Sequence, residues 1–356
     1  MFIDGLVGGG AQRQFVYLAK GLKERGYIVR CFTIFTGEKW SFYEPFFKDN
    51  NIEIICDTRA QNKIKRVYYL FKAIKSFRPD VVIAYGPLQT IYASICHWLY
   101  SFELISSDRN TTQRLDTFER LKFFFYKYAD YVVPNSHSQS TFICNHYPKL
   151  SQRVRVITNL VDVDKFKPQI HKLGIVDRTP TIISVGRFQN QKNYLGYIEA
   201  IKILKEKGIK ATFNWYGNEY VDGYHLLMKD KIKEYGLEDM IFLHQTCGDI
   251  ENKYNENDFF CLPSFYEGFP NVLCEAMACG LPSVCSDVCD NPHIMIEGKN
   301  GFLCNPNNPQ SIAEAIRKII ELSPKERENM AKANRERIVE MCSEQAFLDK
   351  YEALFE

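Results

Sequence analysis

A chain of 356 residues, 46% hydrophobic and 25% charged, exceeds one ordinary domain and can fill two cores, which excludes a disordered chain or a small module. Its net charge of +2 hides an asymmetry: residues 1–158 carry 22 Lys and Arg against 13 Asp and Glu (net +9), and the remainder 23 against 30 (net −7). So modest an excess, without a recognition motif, argues against nucleic acid; no apolar run is long enough to cross a bilayer.

The chain opens MFIDGLVGGG, where Phe2-Ile3 reads as the tail of a strand whose start is clipped. Ala11 to Arg25 is helical, with Phe15, Leu18, Ala19 and Leu22 on one face and Gly26 as its stop. Strand-like runs follow at Ile28–Phe35, Ile52–Ile55, Val81–Ala84, Leu104–Ser106, Tyr131–Val133 and Val154–Ile157. Helical stretches separate them at about 62–77, 88–100, 113–128 and 136–147. Residues Asn159 to Thr179 are polar, hold Pro168 and Gly174, and read as a linker. A second alternation has strands at Thr181–Val185, Thr212–Trp215, Met240–Leu243, Asp258–Leu262 and Ser283–Ser286. Its helices fall at about 193–207, 223–235, 270–279, 308–321 and 324–340, and a last one at about 343–355. Strands alternating with helices imply parallel sheets covered on both faces, hence two similar α/β domains with a ligand cleft between them.

Twelve cysteines sit mostly in apolar runs, which suits reduced thiols of a cytosolic protein. The group Cys274, Cys279, Cys285, Cys289 and Cys304 contains no CxxC pair, so small core residues fit it better than zinc ligands.

The densest chemistry lies in Ser264 to Val284, SFYEGFPNVLCEAMACGLPSV. It reads as a turn after a strand, then a helix from about Asn271 to Cys279-Gly280. Backbone N–H groups at a helix start attract anions, and Glu267 and Glu275, eight positions apart, can border that pocket. Such a site sits at the carboxyl end of a strand, where open α/β sheets bind ligands. It suits a phosphorylated ligand with hydroxyls to grip. Gly186 to Asn193, GRFQNQKN, follows the first strand of the second domain, and its Arg187 and Lys192 could neutralise a diphosphate leaving group.

GRFQNQKN, SFYEGFPNVLCEAMACGLPSV, VITNLVDVDKF and GKNGFLCNP, in the order 186, 264, 156 and 298 along two domains, together resemble the family 4 retaining glycosyltransferases of the GT-B fold. The Glu-x7-Glu pattern is that family's hallmark. The resemblance implies two Rossmann-like domains facing across a cleft: 1–158 for the acceptor and 159–342 for the nucleotide sugar, with the final helix packing back on the first. It implies that Glu275 holds the donor ribose and that Arg187 and Lys192 clamp the diphosphate. The backbone of Asn271 and Val272 would take the distal phosphate, and Glu267 with Phe269, Pro270 and Asn271 the donor sugar. Gly9 and Gly10 would approach the diphosphate closely, and Gly217 with Gln245 and Thr246 would wrap the base.

The implied reaction is transfer of a hexosyl or N-acetylhexosaminyl group, with retention, from a UDP-linked sugar to a hydroxyl of a glycan or polyprenyl-diphosphate-linked acceptor. Neither glutamate stands out as a nucleophile, so Glu267 is expected to position and stabilise charge. Many relatives carry a histidine where this chain reads ISSDRNTT, so Asp108 or Arg109 takes that acceptor-side place. A similar run in relatives that build lipid-linked or surface glycans points to that branch. In SDVCDNPHIM, His293 stands where glutamate is common and reads as a surface histidine.

No metal and no separate cofactor is expected. Asp162-Val163-Asp164 lies in the linker, and the opening glycines do not spell GxGxxG, which excludes a nicotinamide site. Asn62 to Arg78 and Leu121 to Tyr128 interleave cations with aromatics, as helices on anionic membranes do, although both could be sheet-covering helices. The expected place is cytoplasmic, peripheral on the inner face of the cell membrane. Two rival readings are a non-catalytic nucleotide-sugar-binding partner subunit and a GT-B nucleotide-sugar epimerase, a group that normally lacks the Glu-x7-Glu segment.

Overall fold

The computed structural model describes residues 1–35, 37, 40–56, 62–109, 112, 114–169, 178–218 and 223–355, with Lys63 as backbone only. Gly174 of the expected linker, Asn110 and Thr111, and the Lys63 side chain lie outside the described residues. Two compact units result: Met1–Leu160 with Glu344–Glu356, and Val161–Ser343.

The first unit runs β1 (Phe2–Ile3), α1 (Gly10–Glu24), β2 (Arg30–Thr33), α2 (Glu44–Asp49), β3 (Glu53–Cys56), α3 (Lys63–Phe77), β4 (Val81–Tyr85), α4 (Pro87–His97), β5 (Glu103–Asp108), α5 (Thr117–Tyr126), β6 (Tyr131–Pro134) and α6 (His137–His146). Its six parallel strands stand in the order β3-β2-β1-β4-β5-β6. Successive side chains of a strand point to opposite faces. Leu104 therefore joins a core with Phe2, Ile91 and Phe123, whereas Ile105 joins one with Ile3, Phe15 and Ile83. Burial on both faces is why these strands read as continuous apolar runs.

The second unit repeats the plan with β7 (Thr181–Val185), α7 (Tyr194–Glu206), β8 (Thr212–Tyr216), α8 (Tyr224–Glu234), β9 (Ile241–His244), α9 (Ile250–Glu256), β10 (Phe259–Leu262), α10 (Asn271–Ala278), β11 (Ser283–Ser286), α11 (Asn291–Ile294), β12 (Gly301–Cys304), α12 (Pro309–Ile320) and α13 (Pro324–Cys342). Its strand order is β12-β11-β10-β7-β8-β9, again all parallel. Phe259 and Cys261 face one core with Ile182, and Phe260 and Leu262 face the other with Ile183. The winding direction reverses between β1 and β4 and between β7 and β10, and ligands of open α/β sheets collect at such reversals. The last helix, α14 (Glu344–Glu352), packs on α1 in the first unit and buries Phe347, Leu348 and Tyr351.

Helix ends obey local chemistry. A capping box starts α13: the Ser323 hydroxyl accepts from the Glu326 N–H, and Glu326 accepts from the Ser323 N–H, with Pro324 at the first helical position. Gly280, at φ +75°, ends α10 in the left-handed region that side chains avoid.

Several expectations change. Val154–Ile157 forms no strand; it makes one bridge, Val132 to Val154, and pairs with β6 along too short a length. The helices α2, α9 and α11 and the strand β12 were not anticipated, because four to seven residues are too few to display a period. Within the expected linker, Leu160, Val161 and Phe166 are core residues. The Gln14 side chain, itself fully buried, holds Leu160 by both backbone groups, donating to its O at 3.0 Å and accepting from its N at 2.7 Å. All twelve cysteines are free. Eight are buried, and no metal-binding group of His, Cys, Asp and Glu occurs among the described residues. No helix among those residues is long and apolar enough to cross a membrane.

Candidate active site

At the reversal in the second unit, the turn after β7 and the turn after β10 lock together. Asn193 begins the lock. It sits at φ +54°, caps α7 by accepting from the Gly196 N–H at 3.2 Å, and donates to the Pro263 carbonyl at 3.0 Å and the Pro306 carbonyl at 2.7 Å. The Phe265 N–H donates to the Gln191 carbonyl at 2.9 Å, and the Gln191 amide donates to the Tyr266 carbonyl at 2.9 Å. On this frame Lys192 Nζ lies 2.7 Å from Glu267 Oε1, with both side chains about nine-tenths buried. A pair so enclosed is weakly screened, and each charge depends on the other.

Glycine makes room for the lysine. A Cβ on Gly186 would stand 3.0 Å from Lys192 Cε, so the lysine stem passes close over this backbone. Gly217 is more confined: a Cβ there would be 2.1 Å from the Gly186 carbonyl oxygen. The Gly217 N–H donates to the His244 carbonyl at 3.0 Å, and the Thr246 N–H donates to Asn218 Oδ1 at 3.3 Å. Gly217, Gln245 and Thr246 thus converge at the carboxyl ends of β8 and β9, with Gln245 and Thr246 exposed. Beside them the Tyr216 and His244 rings stack at 4.5 Å. Burial, then the nearby Lys253 charge, hold the His244 pKa below its ordinary value.

α10 starts at Asn271 after Pro270 with no side-chain cap. The Asn271 N–H donates to the Phe269 carbonyl, and those of Leu273 and Cys274 to the Pro270 carbonyl. The Val272 N–H has no acceptor among the described residues, which suits an anion at this helix start. One turn on, Glu275 is buried, and its Oε2 accepts from the Tyr254 hydroxyl at 3.3 Å. That hydroxyl stands equally far from the Val272 carbonyl. Phe269 and Pro270 are buried at the turn, whereas Arg187 is exposed at the end of β7.

The second unit therefore brings together Arg187, Lys192, Gly217, Gln245, Thr246, Glu267, Phe269, Pro270, Asn271, Val272 and Glu275. Gly9, Gly10, Asp108 and Arg109 belong to the first unit. Gly9 caps α1 and Gly10 begins it, at the carboxyl end of β1. Asp108 is fully buried: its Oδ2 accepts from the Gln139 amide at 3.1 Å and lies 3.4 Å from Lys122 Nζ. Arg109 donates to Ser107 Oγ at 2.8 Å, the Ile157 carbonyl at 3.0 Å, Asn159 Oδ1 at 3.1 Å and the Tyr351 hydroxyl. Both side chains are engaged inside their own unit, not displayed as a free acid and base.

His293 is exposed, as the sequence suggests, and its carbonyl accepts from Arg337 at 2.6 Å. Asp162 accepts from the Lys165 N–H at 2.9 Å and so closes its own turn. Sequence reasoning missed Tyr254, Asn193, Gln191 and Gly186. For the first, nothing local signals contact with a carboxylate 21 positions away.

Residues 165–337 match a family model described as Glycosyl transferases group 1, and residues 8–165 one described as Glycosyltransferase Family 4. A UDP-Gal:alpha-D-GlcNAc-diphosphoundecaprenol alpha-1,3-galactosyltransferase from Escherichia coli is 28% identical over 290 residues, 75% of this chain and 71% of that protein. The amylovoran biosynthesis glycosyltransferase AmsD from Erwinia amylovora is 23% identical over 346 residues, 94% and 92% of the two chains. Among solved structures, Anabaena Alr3699/HepE in complex with UDP superposes with a TM-score of 0.85 at 18% identity, over 99% of this chain and 98% of that one.

Proposed function

Because the chain belongs to glycosyltransferase family 4, with its GT-B fold and its part in polysaccharide biosynthesis, we propose that it moves a hexosyl or N-acetylhexosaminyl group from a UDP-linked sugar to a hydroxyl of a lipid-linked glycan, with retention. The observation that carries this reading is the interlock of the turns after β7 and β10, which sets Lys192 against Glu267 beside the start of α10.

Each residue then has a task. Glu275, oriented by Tyr254, accepts from the ribose hydroxyls. Arg187 and Lys192 take the diphosphate, with the Val272 N–H and α10 start on its distal phosphate. Lys192 neutralises the departing diphosphate, and because its charge is already held in place by Glu267, little reorganisation is needed. Glu267, with Phe269 to Asn271, positions the donor sugar. Gly217, Gln245 and Thr246 border the base, and Gly9 and Gly10, at the start of α1, offer backbone free of a side chain to a phosphate. Asp108 and Arg109 serve the acceptor side indirectly, by tying the carboxyl end of β5 to Gln139 and to the Ile157 carbonyl. The acceptor is met at an anionic membrane surface, toward which the basic first unit is drawn.

Incubation with a panel of UDP-sugars and a polyprenyl-diphosphate-linked glycan, followed by UDP release and the anomeric configuration of the product, tests the reading. Nucleotide binding with no UDP release from any donor would replace it with a binding subunit.

A further inference from the structure

The first unit carries an apolar ridge that its own fold leaves uncovered. Trp98 and Leu99, just past the end of α4, are 59% and 65% exposed, and Phe118, Leu121 and Phe124 of α5 are 44–49% exposed. At 100° per residue the three α5 positions share one stripe, while Lys122, Phe123 and Tyr126 fill the buried stripe. The sequence left Leu121 to Tyr128 open between a membrane face and a sheet-covering helix; the structure divides it. The exposed members are contiguous. Trp98 meets Tyr128 edge-on at 5.1 Å, Tyr128 lies 6.0 Å from Phe124, and α4 packs on α5. Scattered exposed apolar residues need no explanation, but a joined ridge of large ones marks a contact surface.

Its charge selects the partner. Lys127 Nζ stands 3.7 Å from the Phe124 ring centroid and 4.7 Å from that of Tyr128, so a cation crowns the ridge. Arg120 is exposed one step around the helix. α3, packed against α4, adds exposed Lys65, Lys72 and Lys75, and neither α3 nor α4 contains an Asp or Glu. The acids at the start of α5 are occupied: Asp116 caps the helix through the Glu119 N–H, and Glu119 pairs with Lys122. Aromatic rings and leucines flanked by lysines and arginines, with Asp116, Glu119 and Asp130 each engaged within the unit, match the headgroup boundary of an anionic bilayer.

We infer that the ridge from Trp98 through Phe124 to Phe118 is a bilayer-docking surface, its apolar side chains entering the interface while Arg120, Lys127 and the α3 lysines meet lipid phosphates. It rests on the lipid-linked acceptor reading for its purpose, but its physical basis lies in the first unit alone.

The full chain, without donor, is mixed with vesicles of equal phosphatidylglycerol and phosphatidylcholine and with vesicles of phosphatidylcholine alone. Expected are pelleting with the anionic vesicles, a blue-shifted tryptophan emission, and quenching by brominated lipid that is lost in Trp98→Phe. Phe118→Glu/Leu121→Glu/Phe124→Glu should weaken vesicle affinity by at least about tenfold. Lys72→Glu/Lys75→Glu, on exposed sites that leave packing intact, should weaken it on anionic vesicles only. Pelleting equal on both vesicle types, none on either, or no quenching of Trp98 overturns the assignment. So does a concentration-dependent dimer abolished by Phe124→Glu, which would make a second copy the occupant. Vesicle binding without UDP release from any donor leaves the surface standing and removes the catalytic reading; UDP release without vesicle binding does the reverse.

Discussion

Lys192 Nζ and Glu267 Oε1 stand 2.7 Å apart on turns that follow different strands, 75 positions separated in the chain. Either charge alone in this enclosed place would be poorly solvated, so the pair is both a structural clasp and a charged element of the candidate site.

Removing one partner should therefore cost stability as well as activity. Glu267→Ala is expected to lower turnover sharply and to destabilise the second unit by about 3 kcal/mol, since it strands a nearly buried ammonium. Glu267→Gln should recover most of the stability but little of the turnover. Urea unfolding beside initial rates separates the two effects; wild-type turnover in either variant would remove Glu267 from the site.

Glu275 is expected to act on the nucleotide rather than on turnover. Glu275→Ala should weaken UDP binding by about 1.5–3 kcal/mol, the worth of a charged hydrogen bond. Tyr254→Phe, which removes the 3.3 Å orienting hydroxyl, should cost about 1 kcal/mol. Calorimetry with UDP reads both, and unchanged affinity in Glu275→Ala would refute the ribose assignment.

Gly217→Ala tests the close approach of two backbones. The new Cβ would stand 2.1 Å from the Gly186 carbonyl oxygen, so β7 and β8 must separate where Lys192 crosses Gly186. Loss of UDP affinity together with a lowered melting temperature is expected; a fully active, equally stable variant would contradict the packing.

α14 should depend on a single hydroxyl. The Tyr351 hydroxyl accepts from Arg109 and lies within 3.4 Å of Tyr85 Oη and 3.3 Å of Ser107 Oγ, all of them in the first unit. Tyr351→Phe leaves the Arg109 guanidinium with one partner fewer, at a cost of about 1–3 kcal/mol. Hydrogen exchange should then accelerate in α14 and not in α13.

His244 predicts a pH dependence. Its folded pKa lies below the ordinary 6.5, so the unfolded chain takes up a proton first as pH falls. Its contribution is therefore present in full above about pH 6.5 and declines below that value. Denaturation midpoints at neutral and mildly acidic pH should differ less in His244→Gln than in wild type. An identical pH dependence would exclude the residue.

Much of the fold was legible in the order of residues. Alternating apolar runs and amphipathic stretches placed eleven of the twelve strands and most helices within a few residues, because a parallel sheet buried on both faces demands such runs. The two glutamates and the two cations were legible too, since strand-turn-helix places them at strand carboxyl ends. Less accessible were Asn193 and Gln191, whose amides tie two turns together, and Tyr254 behind Glu275. Their bonds span tens of residues, and no local period records them.

By itself, the sequence determined the two-unit α/β plan, the family resemblance and the residues of the candidate site, because burial patterns and short motifs are local quantities. The tertiary structure decided which charges are paired and which apolar side chains remain outside. It enclosed Lys192 with Glu267, turned Asp108 toward Lys122 and Gln139, and divided α5 into a buried and an exposed stripe. Pairing and exposure depend on what arrives from distant parts of the chain, and only packing brings those parts into contact.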